Sequence, residues 1–476
     1  MSLPAARLDV QRATGGPVPT AASVLRFSSP EELGSQEFRS DYNTRYAYMA
    51  GAMYKGIASP RLVIRMGKAG MLGFLGTGGL GFGEIEAGIR LIREELRGGE
   101  PYGMNFLHHP GNPAFELATI DLFLRHGIRN IEASAFMSMT PALVKYRLQG
   151  LREHAEGGVC AEHRVIAKVS RPEVAEAFLS PAPEDIVRRL LAQGQITAAQ
   201  AELSKRAPMS DDICAEADSG GHTDGAVSIT LIPTIARLRD VLCRRFGYDR
   251  QVRVGAAGGI GTPEAVAAVL VLGAQFVVTG SINQCTVEAG ISEVVKDMLQ
   301  DINIQDTDYA PAGDMFELGA KVQVLKRGVF FPTRANKLYE LWRQFDSWEA
   351  VDAKSRRQIE EKYFMRSFED VYTETREFYL QYLPHEIEKA EKSPKHKMAL
   401  VFRWYFIQGT RLAMAGDPTR KVDYQVQTGP ALGAFNQWVK GTALENWRQR
   451  HVDEIGLMLM QGASDLLRRR LGMAAA

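Results

Sequence analysis

Four cysteines occur in 476 residues (Cys160, Cys214, Cys243 and Cys285), far apart and with no CxxC pair. That spacing excludes a disulfide-stapled secreted fold and a cysteine-built zinc site, and it fits a reducing compartment. No apolar run approaches the ~18 residues of a membrane span. The opening Met1-Ser2-Leu3-Pro4 leads into mixed polar sequence without a signal core. The formal net charge of +1 is too small for nucleic acid or an anionic membrane to be the main partner. What is present is ordinary for a cytoplasmic globular enzyme, with 45% apolar and 24% charged residues. The length implies one large catalytic domain plus an appendage.

Residues 1–40, rich in Gly, Pro, Ser and Thr, read as an N-terminal arm around that domain. From Arg45 onward, short apolar runs alternate with amphipathic stretches, the signature of β/α units. The expected strands are Tyr46–Met49, Met71–Leu75, Tyr102–Leu107, Asn130–Ala133, Arg164–Val169, Asp212–Ala217, Val252–Gly255 and Gln275–Thr279. Eight units over about 240 residues match an α/β fold of the (β/α)₈ TIM-barrel type. We therefore place a barrel at 41–300, with a helical insertion after strand five (172–210) lying over the barrel mouth. Beyond residue 300 strand signals fade and aromatic helical patterns dominate, so 301–476 is expected to be an all-helical C-terminal region.

Active sites in such barrels sit at the C-terminal ends of the strands. That rule selects Ala50-Gly51, Asn105, Lys168, Gly220-Gly221-His222, Ala257 to Gly261, and Thr279-Gly280-Ser281. The strongest local signal is Gly258-Gly259-Ile260-Gly261 before Thr262-Pro263, where glycines let N–H groups approach an anion at a helix N-terminus. Thr279-Gly280-Ser281 is a second such turn, and phosphate sites in these barrels use the loops after strands seven and eight. The pair reads as the phosphate grip of a bound FMN.

Gly76-Thr77-Gly78-Gly79-Leu80-Gly81 also fits a dinucleotide-binding G-x-G-x-x-G turn. The next strand, however, ends without the Asp or Glu that would hold a ribose hydroxyl. A loop over a flat ring system is the better use of these glycines. His222, on a turn of small residues, could donate a hydrogen bond or proton to a carbonyl that gains charge. His108 and His109 point different ways as neighbours and read as exposed loop histidines. Lys168, if it points into the barrel, would place a cation where it favours a reduced, anionic flavin.

Several segments resemble the PfaD-type trans-acting enoyl reductases of polyunsaturated-fatty-acid and trans-acyltransferase polyketide synthases. They are Gly56–Ser59, Met66–Gly73, Ile131–Phe136, Val165–Pro172, Glu216–Asp224, Val254–Pro263, Gln323–Gly328, Leu400–Tyr405 and Gly429–Asn436. More distantly the barrel is similar to nitronate monooxygenases and to the flavin-type enoyl-carrier-protein reductase. The resemblance implies FMN and NADPH as cofactors, and an enoyl thioester on an acyl carrier protein as substrate. It maps an active-site histidine onto His222, a flavin-side asparagine onto Asn105, and phosphate turns onto Gly258-Gly259 and Thr279-Gly280-Ser281. Thr223-Asp224 departs from the distant relatives. A basic group for an acidic carrier is expected at Lys326, Arg327, Arg334, Lys337 and Arg343. The alternative is a nitronate monooxygenase acting on a small free substrate. Oligomeric state is left open, a homodimer included.

Overall fold

The computed structural model describes residues 29–153 and 157–470. Most of the N-terminal arm (1–28) therefore lies outside the described residues.

Eight parallel strands close into a barrel: Tyr48–Ala50, Leu72–Leu75, Gly103–Leu107, Asn130–Ser134, Arg164–Val169, Asp212–Glu216, Arg253–Ala257 and Val277–Thr279. They are called barrel strands one to eight below. Strand one pairs with strand eight, Tyr48 opposite Val277 and Ala50 opposite Thr279, which closes the ring. The closed parallel barrel agrees with setting aside a dinucleotide-binding role for Gly76–Gly81. These glycines serve backbone packing instead: a Cβ on Gly76 would lie 1.7 Å from the Met53 carbonyl oxygen, and one on Gly79 2.7 Å from the Tyr54 ring.

Side chains alternate inward and outward along each strand. The inward set at the strand N-terminal end includes Met49, Leu72, Phe74, Ile166, Cys214, Phe276 and Val278, one apolar cluster that also takes in Phe38 and Tyr42. Those last two belong to helix Gln36–Tyr42, which plugs the bottom of the barrel. The Tyr42 hydroxyl donates to Asp212 Oδ2 at 2.5 Å, and Arg253 grips both oxygens of Asp212 at 2.6 and 2.9 Å. The arm thus ends as a stopper; its boundary at residue 40 falls inside that helix.

The helical insertion is present but lies elsewhere than expected. Pro172–Leu179 is an ordinary outer helix; Glu184–Ala192 and Ala198–Leu203 are the added pieces. Gln200 Nε2 donates to the Gln149 carbonyl and Gln149 Nε2 to the Gln195 carbonyl. Residue 149 ends an outer helix that has run down from the mouth, so the insertion covers the bottom.

The C-terminal region is mostly helical, not wholly so. Thr307–Pro311 and Lys321–Leu325 pair antiparallel, and the second also pairs with Gly221–Thr223 beyond strand six. The division at 300 also cuts the barrel. Seven outer helices follow their strands directly, but helix Val452–Arg470 fills the eighth place, between Pro263–Val271 and Pro60–Lys68. Glycines permit that close fit: a Cβ on Gly456 would stand 2.8 Å from the Tyr48 ring, and one on Gly462 2.6 Å from Pro263. Residues 280–451 thus lie between the eighth strand and its helix.

Candidate active site

The mouth is floored by a polar layer that the inward parity of successive strands dictates. Asn105, Glu132, Lys168 and Glu216 come from strands three, four, five and six. Lys168 points inward: its Nζ stands 3.0 Å from Glu216 Oε1 and 3.9 Å from Glu132 Oε1. Burial alone would depress this ammonium, yet the two carboxylates hold it well above its usual range. Burial likewise pushes the Glu132 carboxyl up, against the pull of Lys168 and of the Ala52 N–H, which donates to Oε2 at 2.8 Å. Glu132 Oε1 is buried with no hydrogen-bond partner among the described residues. Asn105 spends its amide hydrogens on the Glu132 carbonyl (3.1 Å) and Ser134 Oγ (3.0 Å), so Oδ1 is what it can offer a ligand.

The two glycine turns stand side by side, since strands seven and eight pair. A Cβ on Gly258 would meet the Ala217 carbonyl oxygen at 2.4 Å, and one on Gly261 the Ala431 carbonyl oxygen at 2.1 Å. At Gly259 and Gly280, by contrast, a Cβ meets nothing within 4 Å. Both turns therefore leave open space at one glycine each, beside the N-terminus of helix Pro263–Val271, the kind of end that favours an anion. Gly258 and Gly259 hold φ of 86° and 74°, a conformation glycine adopts freely.

Two of the expected residues contribute less than their position promised. Thr279 turns its hydroxyl outward to Tyr48 (2.6 Å) and Asn283 (3.0 Å), so only its backbone faces the mouth. Ala50, also on the outward parity, packs in the layer between strands and helices; Gly51 lies inward against Glu132. Ala257 shares the inward parity of strand seven. Gly220 is hemmed by Ser281 Oγ and by Thr428, each 2.7 Å from where its Cβ would be. This contact brings the strand-six loop onto the strand-eight turn, with His222 two residues away. Thr428 Oγ1 and Gln323 Oε1, nearby and buried, also have no hydrogen-bond partner among the described residues.

His222 lies in Gly221–Thr223, and its Nε2 meets Asp314 Oδ1 at 2.8 Å. Burial would lower this imidazole, but the hydrogen bond and charge of Asp314 raise it above the ordinary histidine value. Asp218 staples the loop, accepting from Thr223 Oγ1 (2.7 Å), Tyr309 Oη (2.6 Å) and Gln323 Nε2 (3.2 Å). The departure at Asp224 has a structural cause: it is bound by Ser170 and by two nitrogens of Arg171.

Sequence reasoning missed Asp314, Glu132, Glu216, Gln323 and Thr428 as site residues. A carboxylate in mid-strand, as in Asn130-Ile131-Glu132-Ala133-Ser134, was a signal for Glu132; Asp314 had none, lying 92 residues from its partner. His108 is no exposed loop residue: its Nδ1 meets the buried Glu116 at 2.7 Å and its ring stacks on Phe136. The expected basic group is partly spent internally, Arg334 on Asp423 and Arg327 on the Asp301 carbonyl and Asp306.

Comparison with known proteins agrees with this architecture. Residues 37–314 match the nitronate monooxygenase family, and residues 345–424 match the inserted helical domain of [acyl-carrier-protein] S-malonyltransferase. The polyketide biosynthesis protein PksE of Bacillus subtilis (strain 168) is 57% identical over 441 residues, 93% of this chain and 57% of that protein. A component of the polyunsaturated fatty acid synthase of Thraustochytrium sp. is 44% identical over 454 residues, 94% of this chain and 30% of that protein. The chain thus spans little more than half of the first relative's length. Among solved structures, the enoyl reductase domain of MlnA, from the macrolactin biosynthesis cluster of Bacillus amyloliquefaciens, superposes with a TM-score of 0.90. It shares 48% identity, and the match covers 93% of this chain and all of that one. FabK from Thermotoga maritima, at 17% identity and a TM-score of 0.54, shares the fold over 92% of this chain and 99% of its own. The chain belongs to the nitronate monooxygenase family, in its PfaD-type enoyl reductase branch.

Proposed function

We propose that the protein is an FMN-dependent enoyl reductase that acts in trans on acyl chains carried by an acyl carrier protein. The observation that carries this reading is the full-length likeness to the enoyl reductase domain of MlnA. The open cradle at Gly259 and Gly280 supports the cofactor. The N–H groups of Gly258 to Gly261 and of Gly280-Ser281 would hold the phosphate. Gly51, Asn105, Lys168 and Gly220-Gly221 would frame the ring, and the unpaired Gln323 Oε1 and Thr428 Oγ1 are free to complete it. Bound there, FMN supplies a two-electron relay from NADPH to the β-carbon of an α,β-unsaturated thioester.

The chain's own residues do the rest. His222, whose proton is held more firmly by the hydrogen bond to Asp314, would donate a hydrogen bond to the thioester oxygen as negative charge grows there, and it or a relayed water would protonate the α-carbon. Lys168 would hold its ammonium under the ring, with its charge offset by Glu216 and Glu132, and orient the polar floor of the site. The ribbon Thr307–Pro311/Lys321–Leu325 pairs onto the His222 strand and lies along one side of the mouth. Among the described residues no helix is long and apolar enough to cross a membrane, and a cytoplasmic synthase partner is the setting we propose.

The family model matched by the barrel supports one rival, oxygen-dependent oxidation of a small nitronate. Anaerobic reduction by NADPH, followed by a crotonyl thioester, separates the two. The enoyl reductase reoxidises without oxygen. Reoxidation only with oxygen and a nitronate would overturn the reading.

A further inference from the structure

Outside the barrel, helices Phe368–Tyr382 and Pro394–Ala415 pack side by side within the stretch that matches the malonyltransferase insert. Between them runs a cleft with apolar walls, Phe378 from one helix and Leu400, Trp404 and Ile407 from the other, with Arg411 at one end. Phe378 is 44% and Ile407 39% exposed, unusual for large apolar side chains meeting across a groove. Thr375 lines the same cleft and is 5% exposed, yet its Oγ1 has no hydrogen-bond partner among the described residues. Neighbouring threonines behave differently: Thr373 and Thr410 each donate to the carbonyl four residues earlier. A buried hydroxyl left unpaired in an apolar cleft is costly unless a ligand or water meets it.

The helix that carries Leu400, Trp404 and Ile407 also packs, through another of its faces, beside the candidate active site. Ile407 follows Phe406, whose Cβ lies 2.9 Å from where a Cβ on Gly313 would be; the next residue, Asp314, holds His222. One turn beyond Ile407, Arg411 is one of the charges acting on Tyr54, which overhangs the mouth on Gly79. The Arg411 end thus lies nearer the mouth and the Leu400 end farther away. The cleft is open on its outer side and about 60 Å³ in volume, a size that suits the tip of a chain.

We propose that this cleft receives the distal end of the acyl chain whose double bond lies at His222, with Thr375 ready to bond an oxygen carried on that tail. The proposal rests on the reading of the protein as an enoyl thioester reductase. It makes the helical insert a selector of chain length and tail chemistry. Glu374, the carboxylate at its edge, is held by Trp404 Nε1 at 3.0 Å and Arg366 at 2.5 Å and pairs with Arg411 at 4.0 Å, so its charge is spent within the protein.

The test compares four- and ten-carbon trans-2-enoyl thioesters on the FMN-loaded protein and its Ile407→Trp variant, which fills the groove from an exposed position. The expected result is a KM raised about tenfold for the ten-carbon substrate, with the four-carbon substrate unchanged. Equal effects on both, or on neither, would overturn the proposal. Binding is read separately, with or without FMN, from Trp404 fluorescence on adding a saturated decanoyl thioester. Quenching that disappears in Trp404→Phe supports the cleft, and no quenching argues against it. If decanoyl thioester quenches Trp404 but no enoyl thioester is reduced, the reductase reading fails while the chain-binding cleft stands.

Discussion

His222 holds its proton to higher pH than a free imidazole because Asp314 accepts from it at 2.8 Å, while burial works in the opposite direction. A folded-state pKa above the unfolded one stabilises the fold fully below about pH 6.5, and that stabilisation fades as pH rises through the raised value. Catalysis should follow the same titration if the protonated ring is the donor. Asp314→Asn should therefore move the alkaline limb of kcat/KM to lower pH with FMN content intact; an unmoved limb would remove Asp314 from the mechanism. His222→Ala should cost about a hundredfold or more in turnover, the scale of a lost preorganised donor. The sequence made His222 legible through its small-residue turn. It could not reveal Asp314, because the two meet only when Lys321–Leu325 pairs with Gly221–Thr223. Lys168 was half legible: alternation placed Ile166 and Lys168 on one face, and the buried Ile166 fixes that face as the interior.

The glycine turns after strands seven and eight were legible as elements, because short β-branched runs ending in glycine leave little other use for those residues. Which glycine does what was not legible, since it depends on what packs above. Gly280 has open space at its Cβ position, so the methyl of alanine fills only the cradle, while its φ −131° and ψ −77° lie outside the regions L-residues favour. Gly280→Ala should cost the apoprotein only about 1–3 kcal/mol of backbone strain while weakening FMN binding at least tenfold, measured by fluorescence titration. Gly261→Ala should chiefly destabilise the fold, because its Cβ would meet the Ala431 carbonyl oxygen at 2.1 Å. Equal FMN affinity in Gly280→Ala and the parent would move the phosphate elsewhere. Ala431 itself sits in the first turn of helix Pro430–Trp438, so a chain stretch far beyond strand eight roofs the turn. That roof explains why the pattern Gly429-Pro430-Ala431 is part of the site without carrying any chemistry.

At the scale of the whole molecule, the barrel is completed from its far end. Its eight strands could be read in order from local runs of apolar residues, each within a few residues of the observed bounds. The eighth helix could not, because nothing local says that residues 452–470 return across a long insertion to dock beside residues 263–271. Helix Val452–Arg470 buries Val452, Ile455, Leu459, Met460, Ala463 and Leu467, all at most 4% exposed. At about 1.5–3 kcal/mol for each large aliphatic chain, this face is worth as much as the ~5–15 kcal/mol by which domains are stable. The C-terminal helix is therefore part of the cofactor domain's stability, not of an appendage. Ile455→Ala should cost about 2–5 kcal/mol. Leu457→Ala, 41% exposed on the same helix, should stay within about 0.5 kcal/mol. Urea unfolding followed by the release of bound FMN reads both. If the region beyond residue 300 were a separate tail, Ile455→Ala would leave the FMN-release midpoint where it was; a midpoint that moves with Ile455 and not with Leu457 locates the closing helix of the barrel at the end of the chain.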